Sequence, residues 1–200
     1  MVAQRRQRRA GQVLFLQYSA LSIAQEYLRF PEAQALSPNW LNEGKVQVIA
    51  HRGASAWLPE HTLAAYQRAI EDGADFIEPD LVMSRDGILV ARHENEISAS
   101  TNIAQHQEYA GRRTRKVIDG HAVDGWFCED FSFDELRGLR GREPLPARRG
   151  TAEDGLHPLL SFDEIVNLAA RASERLGRKI GVVPELKHST YFRSIGLDLE

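Results

Sequence analysis

Four places in the 200-residue chain set ionisable side chains at the end of an apolar, strand-like run. Val46 to Ala50 leads into His51 and Arg52, and the run Phe76 to Met83 contains Glu78 and Asp80. Ile88 to Arg92 delivers His93, and Ile180 to Pro184 leads into Glu185 and Lys187. Charged groups are costly to place beside buried strands unless a ligand, a metal or a partner compensates them. Glu78, Asp80 and Glu185 are hard oxygen donors of the kind that hold Ca²⁺ or Mg²⁺, and no Cys or His cluster has zinc spacing. His51 and His93 are residues of the type that can act as opposite members of a general acid/base pair near neutral pH. Arg52 offers a bidentate fork for phosphate oxygens and Lys187 a point charge for the same task. Spacing alone leaves a plainer alternative open, in which Glu78 and Asp80 pair with Arg52 or Lys187.

These side chains need strands to carry them and helices to space the strands. Between the first two runs, Thr62 is an N-cap for a helix with Leu63, Tyr66, Ala69 and Ile70 at helical spacing and Gly73 as its stop. Strand, helix, strand is the unit of a parallel α/β sheet. Val46 to Ala50 reads as a strand buried on both faces, and the period of two in the second strand puts Glu78 and Asp80 on one face. Ser84-Arg85-Asp86-Gly87 predicts a hairpin with Asp-Gly at its centre. Further on, Ser161 and Glu164 make a capping box for a helix striped by Ile165, Leu168, Ala169, Ala172 and Leu176 and closed by Gly177. From Ile97 to about Leu156 the periodicity is weak, aromatics are scattered, and basic clusters appear at Arg112 to Lys116 and Arg137 to Arg142. That stretch reads as an inserted subdomain, with one short helix around Asp134 to Leu139 behind a Ser132–Glu135 capping box and the basic groups as solvated surface.

The bulk numbers exclude some classes. With 42% hydrophobic and 26% charged residues the chain is neither low-complexity nor disordered in type, and a net charge of -3 gives no basic nucleic-acid face. Cys128 is the single cysteine, so no internal disulfide forms. Residues 1–44 stand apart from the domain expected at 45–200. Basic residues Arg5 to Arg9 precede an apolar run, Val13 to Ala24, that ends in Ser22-Ile23-Ala24. This order suits an export signal and hence a periplasmic or secreted protein, a surface helix on a cytoplasmic protein being the alternative; the run is short for a membrane span.

Taken in order, HRGASAWLPEHT, IEPDLVMSRDG, ARHE and PELK resemble the glycerophosphodiester phosphodiesterase family, particularly its longer periplasmic-type branch, over about Lys45 to Glu200. The resemblance implies an α/β fold, the (β/α)₈ TIM barrel of phospholipase C-like phosphodiesterases, with a small insertion at about 97–156. It implies His51 and His93 as the acid/base pair, Arg52 and Lys187 as phosphate ligands, and Glu78, Asp80 and Glu185 as ligands of a divalent cation, Ca²⁺ or Mg²⁺. Glu60 matches the glutamate of the PE-x-T motif, a supporting position, and His61 stands where many members have Asn. The implied reaction converts a glycerophosphodiester and water into sn-glycerol 3-phosphate and an alcohol. Because a complete barrel takes about 250 residues, the chain is expected to hold only the first part of one. Two other readings are a motif-bearing remnant or binding module without activity, and a related barrel phospholipase acting on lysolipids.

Overall fold

Proline and glycine punctuate the strands that carry the site, and they explain why the strands are short. The computed structural model describes residues 47–199; the candidate export segment and the linker up to residue 44 lie outside them. The described strands are β1 (Ile49–His51), β2 (Phe76–Glu78), β3 (Asp80–Met83), β4 (Leu89–Ala91), β5 (Thr114–Ile118), β6 (His121–Gly125), β7 (Gly181–Val182) and β8 (Glu185–Leu186). The α-helices are α1 (Leu63–Glu71), α2 (Phe133–Gly138), α3 (Phe162–Leu176) and α4 (Ser189–Ser194). None of them is long and apolar enough to cross a membrane.

β1 pairs with β2 in parallel, with His51 opposite Glu78. The run expected as one strand from Phe76 to Met83 is divided at Pro79 into β2 and β3, because proline has no N–H to donate to a ladder. On the other flank the ladder runs straight through. The N–H groups of Gly181, Val183, Glu185 and Lys187 donate to the carbonyls of Asp75, Ile77, Pro79 and Leu81 at 2.9–3.0 Å. β7 and β8 are thus one parallel strand crossing Pro184, and Asp80 stands opposite Glu185. The first strand departs from expectation: Val48 and Ile49 are half exposed instead of buried on both faces, because among the described residues β1 has only β2 beside it.

Helices α1, α2 and α3 form where their caps predict, whereas α4 has no side-chain cap at His188 to mark it. The Thr62 hydroxyl accepts from Ala65 N–H at 3.2 Å to open α1, and capping boxes open α2 at Ser132–Glu135 and α3 at Ser161–Glu164, where Gly177 closes α3 in the left-handed region. α1 buries Ala65, Tyr66, Ala69 and Ile70. Leu63 faces outward instead, since the buried stripe is centred on Ala65 and Ala69 and the first turn falls to one side of it.

Residues 97–156 are not irregular. The β3–β4 hairpin turns at Gly87 (φ +82°) as expected, and the insertion folds over it. Val82, Met83 and Val90 of that hairpin share one apolar core with Ile97, Ile103, Cys128, Phe131, Leu136, Leu139 and Phe192. Each such fully buried large side chain contributes roughly 1.5–3 kcal/mol, which is what holds the short elements of the insertion against the hairpin. β5 and β6 form a hairpin whose two-residue turn is Asp119-Gly120, both at positive φ (+48° and +85°), the backbone that a type I′ turn requires. The basic clusters are largely paired: Arg112 with Glu135, Arg113 with Asp124, Lys116 with Glu129 and Asp130, and Arg137 with Glu164.

Candidate active site

The sheet order places the ends of three parallel strands side by side, and Asp80 is at their centre. Its side chain is completely buried. Oδ2 lies 3.0 Å from Arg52 Nε, 3.2 Å from His61 Nε2 and 3.7 Å from His51 Nε2, while Oδ1 faces Lys187 Nζ at 3.3 Å. Burial by itself pushes a carboxyl up, but the His61 hydrogen bond and the charges of Lys187 and Arg52 outweigh it and hold Asp80 well below the usual carboxylate range. Lys187 reaches Glu185 Oε1 as well, at 2.7 Å. The plainer sequence alternative is therefore met for Asp80, which pairs with both Arg52 and Lys187.

The turn after β1 is what brings Arg52 inward. Arg52 and Gly53 both take left-handed backbone (φ +63° and +79°), a conformation that costs about 1–2 kcal/mol for a residue with a side chain and so needs support. Support comes from three sides: Arg52 N–H donates to Glu78 C=O (2.9 Å), Arg52 C=O accepts from His61 N–H (3.2 Å), and one guanidinium N–H reaches buried Glu60 Oε2 at 3.0 Å. Glu60 thereby orients Arg52, a role its place in PEHT only suggested.

His51, Asp80 and Glu185 each offer a ligand atom, and these atoms lie within 4.8 Å of one another. Glu78 is outside that trio, half-buried on the strand next to His51. His93 also lies apart from it: two residues beyond β4, its Nδ1 is 2.7 Å from Glu94 Oε1. Of the eight residues singled out from sequence, the structure brings His51, Arg52, Glu60, Asp80, Glu185 and Lys187 into one connected cluster.

The glycerophosphoryl diester phosphodiesterase family model matches residues 51–193, which hold every one of these side chains. The chain belongs to that family. It is 36% identical over 160 residues to a glycerophosphodiester phosphodiesterase of Arabidopsis thaliana, covering 80% of this chain and 42% of that one. A Haemophilus influenzae glycerophosphodiester phosphodiesterase is 28% identical over 163 residues, covering 76% and 42%. The chain thus spans about two fifths of the length of these curated relatives. The crystal structure of a glycerophosphoryl diester phosphodiesterase from Silicibacter pomeroyi superposes with a TM-score of 0.53 at 23% identity, covering 73% of this chain and 47% of that one. The fold accordingly matches part of the family's α/β barrel, in which β1, β2–β3 and β7–β8 form three neighbouring parallel strands.

In this family member His61 belongs to the site although its motif position alone suggested no role for it. Its ring is completely buried, Nδ1 2.8 Å from the Tyr66 hydroxyl and Nε2 3.2 Å from Asp80. A carboxylate only accepts and a hydroxyl can donate, so the neutral ring donates from Nε2 and accepts at Nδ1. Burial, reinforced by the Arg92 charge, outweighs Asp80 and lowers the imidazole to about 4. The folded value lies below the ordinary 6.5, so stability from this group is intact above pH 6.5 and is lost as pH falls toward about 4, where only the unfolded chain has taken the proton. His61→Asn keeps a donor for Asp80 without a titrating ring. It is expected to flatten the urea-midpoint-versus-pH profile in that window by about one proton; a slope equal to the parent's would contradict the buried neutral ring. The signal that could have found His61 is its place one residue before an N-cap on the helix that carries Tyr66.

Proposed function

We propose that the chain carries the first part of a metal-dependent phosphodiesterase site that hydrolyses glycerophosphodiesters to sn-glycerol 3-phosphate and an alcohol. The observation that supports this most is Asp80: a fully buried carboxylate whose Oδ1 makes no hydrogen bond, set beside Glu185 with a cationic ammonium between them. Two carboxylate oxygens converging on positive charge are what a hard divalent cation requires, so the residues present fit Ca²⁺ or Mg²⁺. Asp80 and Glu185 would hold it, with Glu78 adjacent. When bound, such an ion polarises phosphoryl oxygen and lowers the pKa of a coordinated hydroxyl.

The remaining steps belong to the protein's own side chains. Arg52, fixed by Asp80 and Glu60 and still partly exposed, presents its free guanidinium edge to a phosphate oxygen, and Lys187 adds a second positive charge. His51 accepts a hydrogen bond from Arg52 Nε at 3.3 Å and is half exposed, so its ring can reach substrate and take up a hydroxyl proton. His93 returns a proton to the leaving alcohol. Because hard cations favour oxygen donors, His51 is assigned to proton transfer although its ring lies within the trio.

Release of glycerol 3-phosphate from glycerophosphocholine is expected to stop with chelator and to return with Ca²⁺ or Mg²⁺. His51→Ala and His93→Ala are each expected to lower kcat by about 10²–10⁴-fold, the usual contribution of a general acid or base. Hydrolysis that is indifferent both to chelator and to His51→Ala would overturn the mechanism. Preference for a choline lysolipid over glycerophosphocholine would move the substrate class to lysolipids.

A further inference from the structure

His188 follows Lys187 directly and is half-shielded, yet the reaction proposed above does not use it. Its backbone is left-handed (φ +55°), and its ring meets side chains from two separate turns. Nδ1 is 2.6 Å from Asp119 Oδ2 at the tip of the β5–β6 hairpin, and Nε2 is 3.2 Å from Glu94 Oε2. The other oxygen of Glu94 lies 2.7 Å from His93 Nδ1. The four side chains form one line, Asp119, His188, Glu94, His93, and His188 is the least exposed of them, at 15% against 33% for His93 and about half for each carboxylate.

Carboxylates only accept hydrogen bonds. With a carboxylate at each nitrogen, His188 holds both as an imidazolium, donating through Nδ1–H to Asp119 and through Nε2–H to Glu94 and so fixing Glu94 from one side, and Glu94 in turn accepts a hydrogen bond from His93 Nδ1–H. The consequence falls on the far nitrogen of His93. With Nδ1–H committed to Glu94, Nε2 carries the lone pair and is the atom left to exchange a proton, the same division of labour that an orienting carboxylate imposes on any working imidazole. An isolated exposed Glu94 has several rotamers available and would hold His93 poorly; a second anchor on its other oxygen removes that freedom.

We propose that His188 is a positioning residue: bridged to the tip of the insertion hairpin by Asp119, it locks Glu94 and so sets the tautomer and orientation of His93. The catalytic consequence rests on His93 being the proton donor of the proposed reaction, whereas the tautomer does not. Asp119 thereby gives the insertion a part in the site without reaching substrate.

Two substitutions test this without disturbing the local backbone. His188→Asn keeps a residue that tolerates left-handed φ, and Asp119→Asn keeps an Asn-Gly turn, the preferred type I′ pair. Each is expected to lower kcat about tenfold with KM within twofold, a loss of the size seen when orienting partners of an active imidazole are removed. The double variant should be no worse than His188→Asn, because the two act as one unit. Independently of turnover, ¹⁵N NMR of the neutral His93 ring should show Nδ1–H in the parent and a shift toward Nε2–H in both variants. An unchanged His93 tautomer in His188→Asn would overturn the proposal. A tautomer that shifts while His93→Ala leaves hydrolysis intact would uphold the lock and refute His93 as the proton donor.

Discussion

Asp80→Ala is expected to lose about 3 kcal/mol of folding stability, at the lower end of the 3–5 kcal/mol typical for breaking a buried ion pair, and to bind no divalent cation in a calorimetric titration. The reasoning turns on what the carboxylate leaves behind. Arg52 Nε and Lys187 Nζ lie 3.0 and 3.3 Å from it, and removal of a buried partner strands their charge in a poorly solvated place. The loss is held to the lower end because Arg52 retains Glu60 and Lys187 retains Glu185, so neither cation is wholly uncompensated. Asp80→Asn preserves shape and one acceptor, and it should fall between parent and alanine in stability while still losing the cation. Urea midpoints and calorimetry read the two effects separately. An alanine variant as stable as the parent would mean that the cations around Asp80 are solvated well enough to need no partner.

The second large effect is expected from Gly53→Ala. A Cβ on Gly53 would stand 2.7 Å from the carbonyl carbon, 2.8 Å from the carbonyl oxygen and 2.9 Å from the Cβ of Ala65. Two of these three atoms are backbone of α1 and cannot rotate away. Left-handed φ adds about 1–2 kcal/mol to an overpacking cost of about 1–3 kcal/mol, giving an expected loss of about 2–5 kcal/mol. Gly87→Ala supplies the control, since Gly87 has a comparable φ of +82° with nothing within 4 Å. Its loss should be confined to the φ cost, and equal losses at the two glycines would show that the close approach to α1 carries no energy. The contact also matters for the site. Ala54 N–H donates to Ala65 C=O at 2.8 Å, so pushing this turn off the helix moves Arg52 away from Asp80 and should raise KM for an anionic substrate along with the instability.

Local pattern was enough for the pieces that depend on neighbours in the chain. The capping boxes at Ser132–Glu135 and Ser161–Glu164, the Thr62 cap and the Gly87 hairpin are set by side chains within four residues of the backbone they satisfy. The order of the motifs also pointed to a shared site for His51, Arg52, Asp80, Glu185 and Lys187, because parallel strands present their carboxyl ends on one side of a sheet. What could not be read locally was the insertion. The strands β5 and β6 alternate no apolar face, being mostly exposed on both sides, so the Asp119-Gly120 turn was the only sign of a hairpin there. The burial of Phe131, Leu136 and Leu139 against Val82 and Val90 depends on contacts some fifty residues apart in sequence.

By itself, then, the sequence determined the residue types at the strand ends, the capped starts of α1, α2 and α3 and the family to which they belong. Only the tertiary structure decided the partners: that Asp80 rather than Glu78 takes the centre, that His61 is a buried neutral ring beneath it, and that Lys187 lies between two carboxylates. Register is the physical reason for the first of these. Glu78 stands opposite His51 on β1, while Asp80 stands opposite Glu185 on β8 and receives the inward-turned Arg52. The others follow from burial and long-range charge, which depend on what the folded chain places around a group and not on its neighbours in sequence.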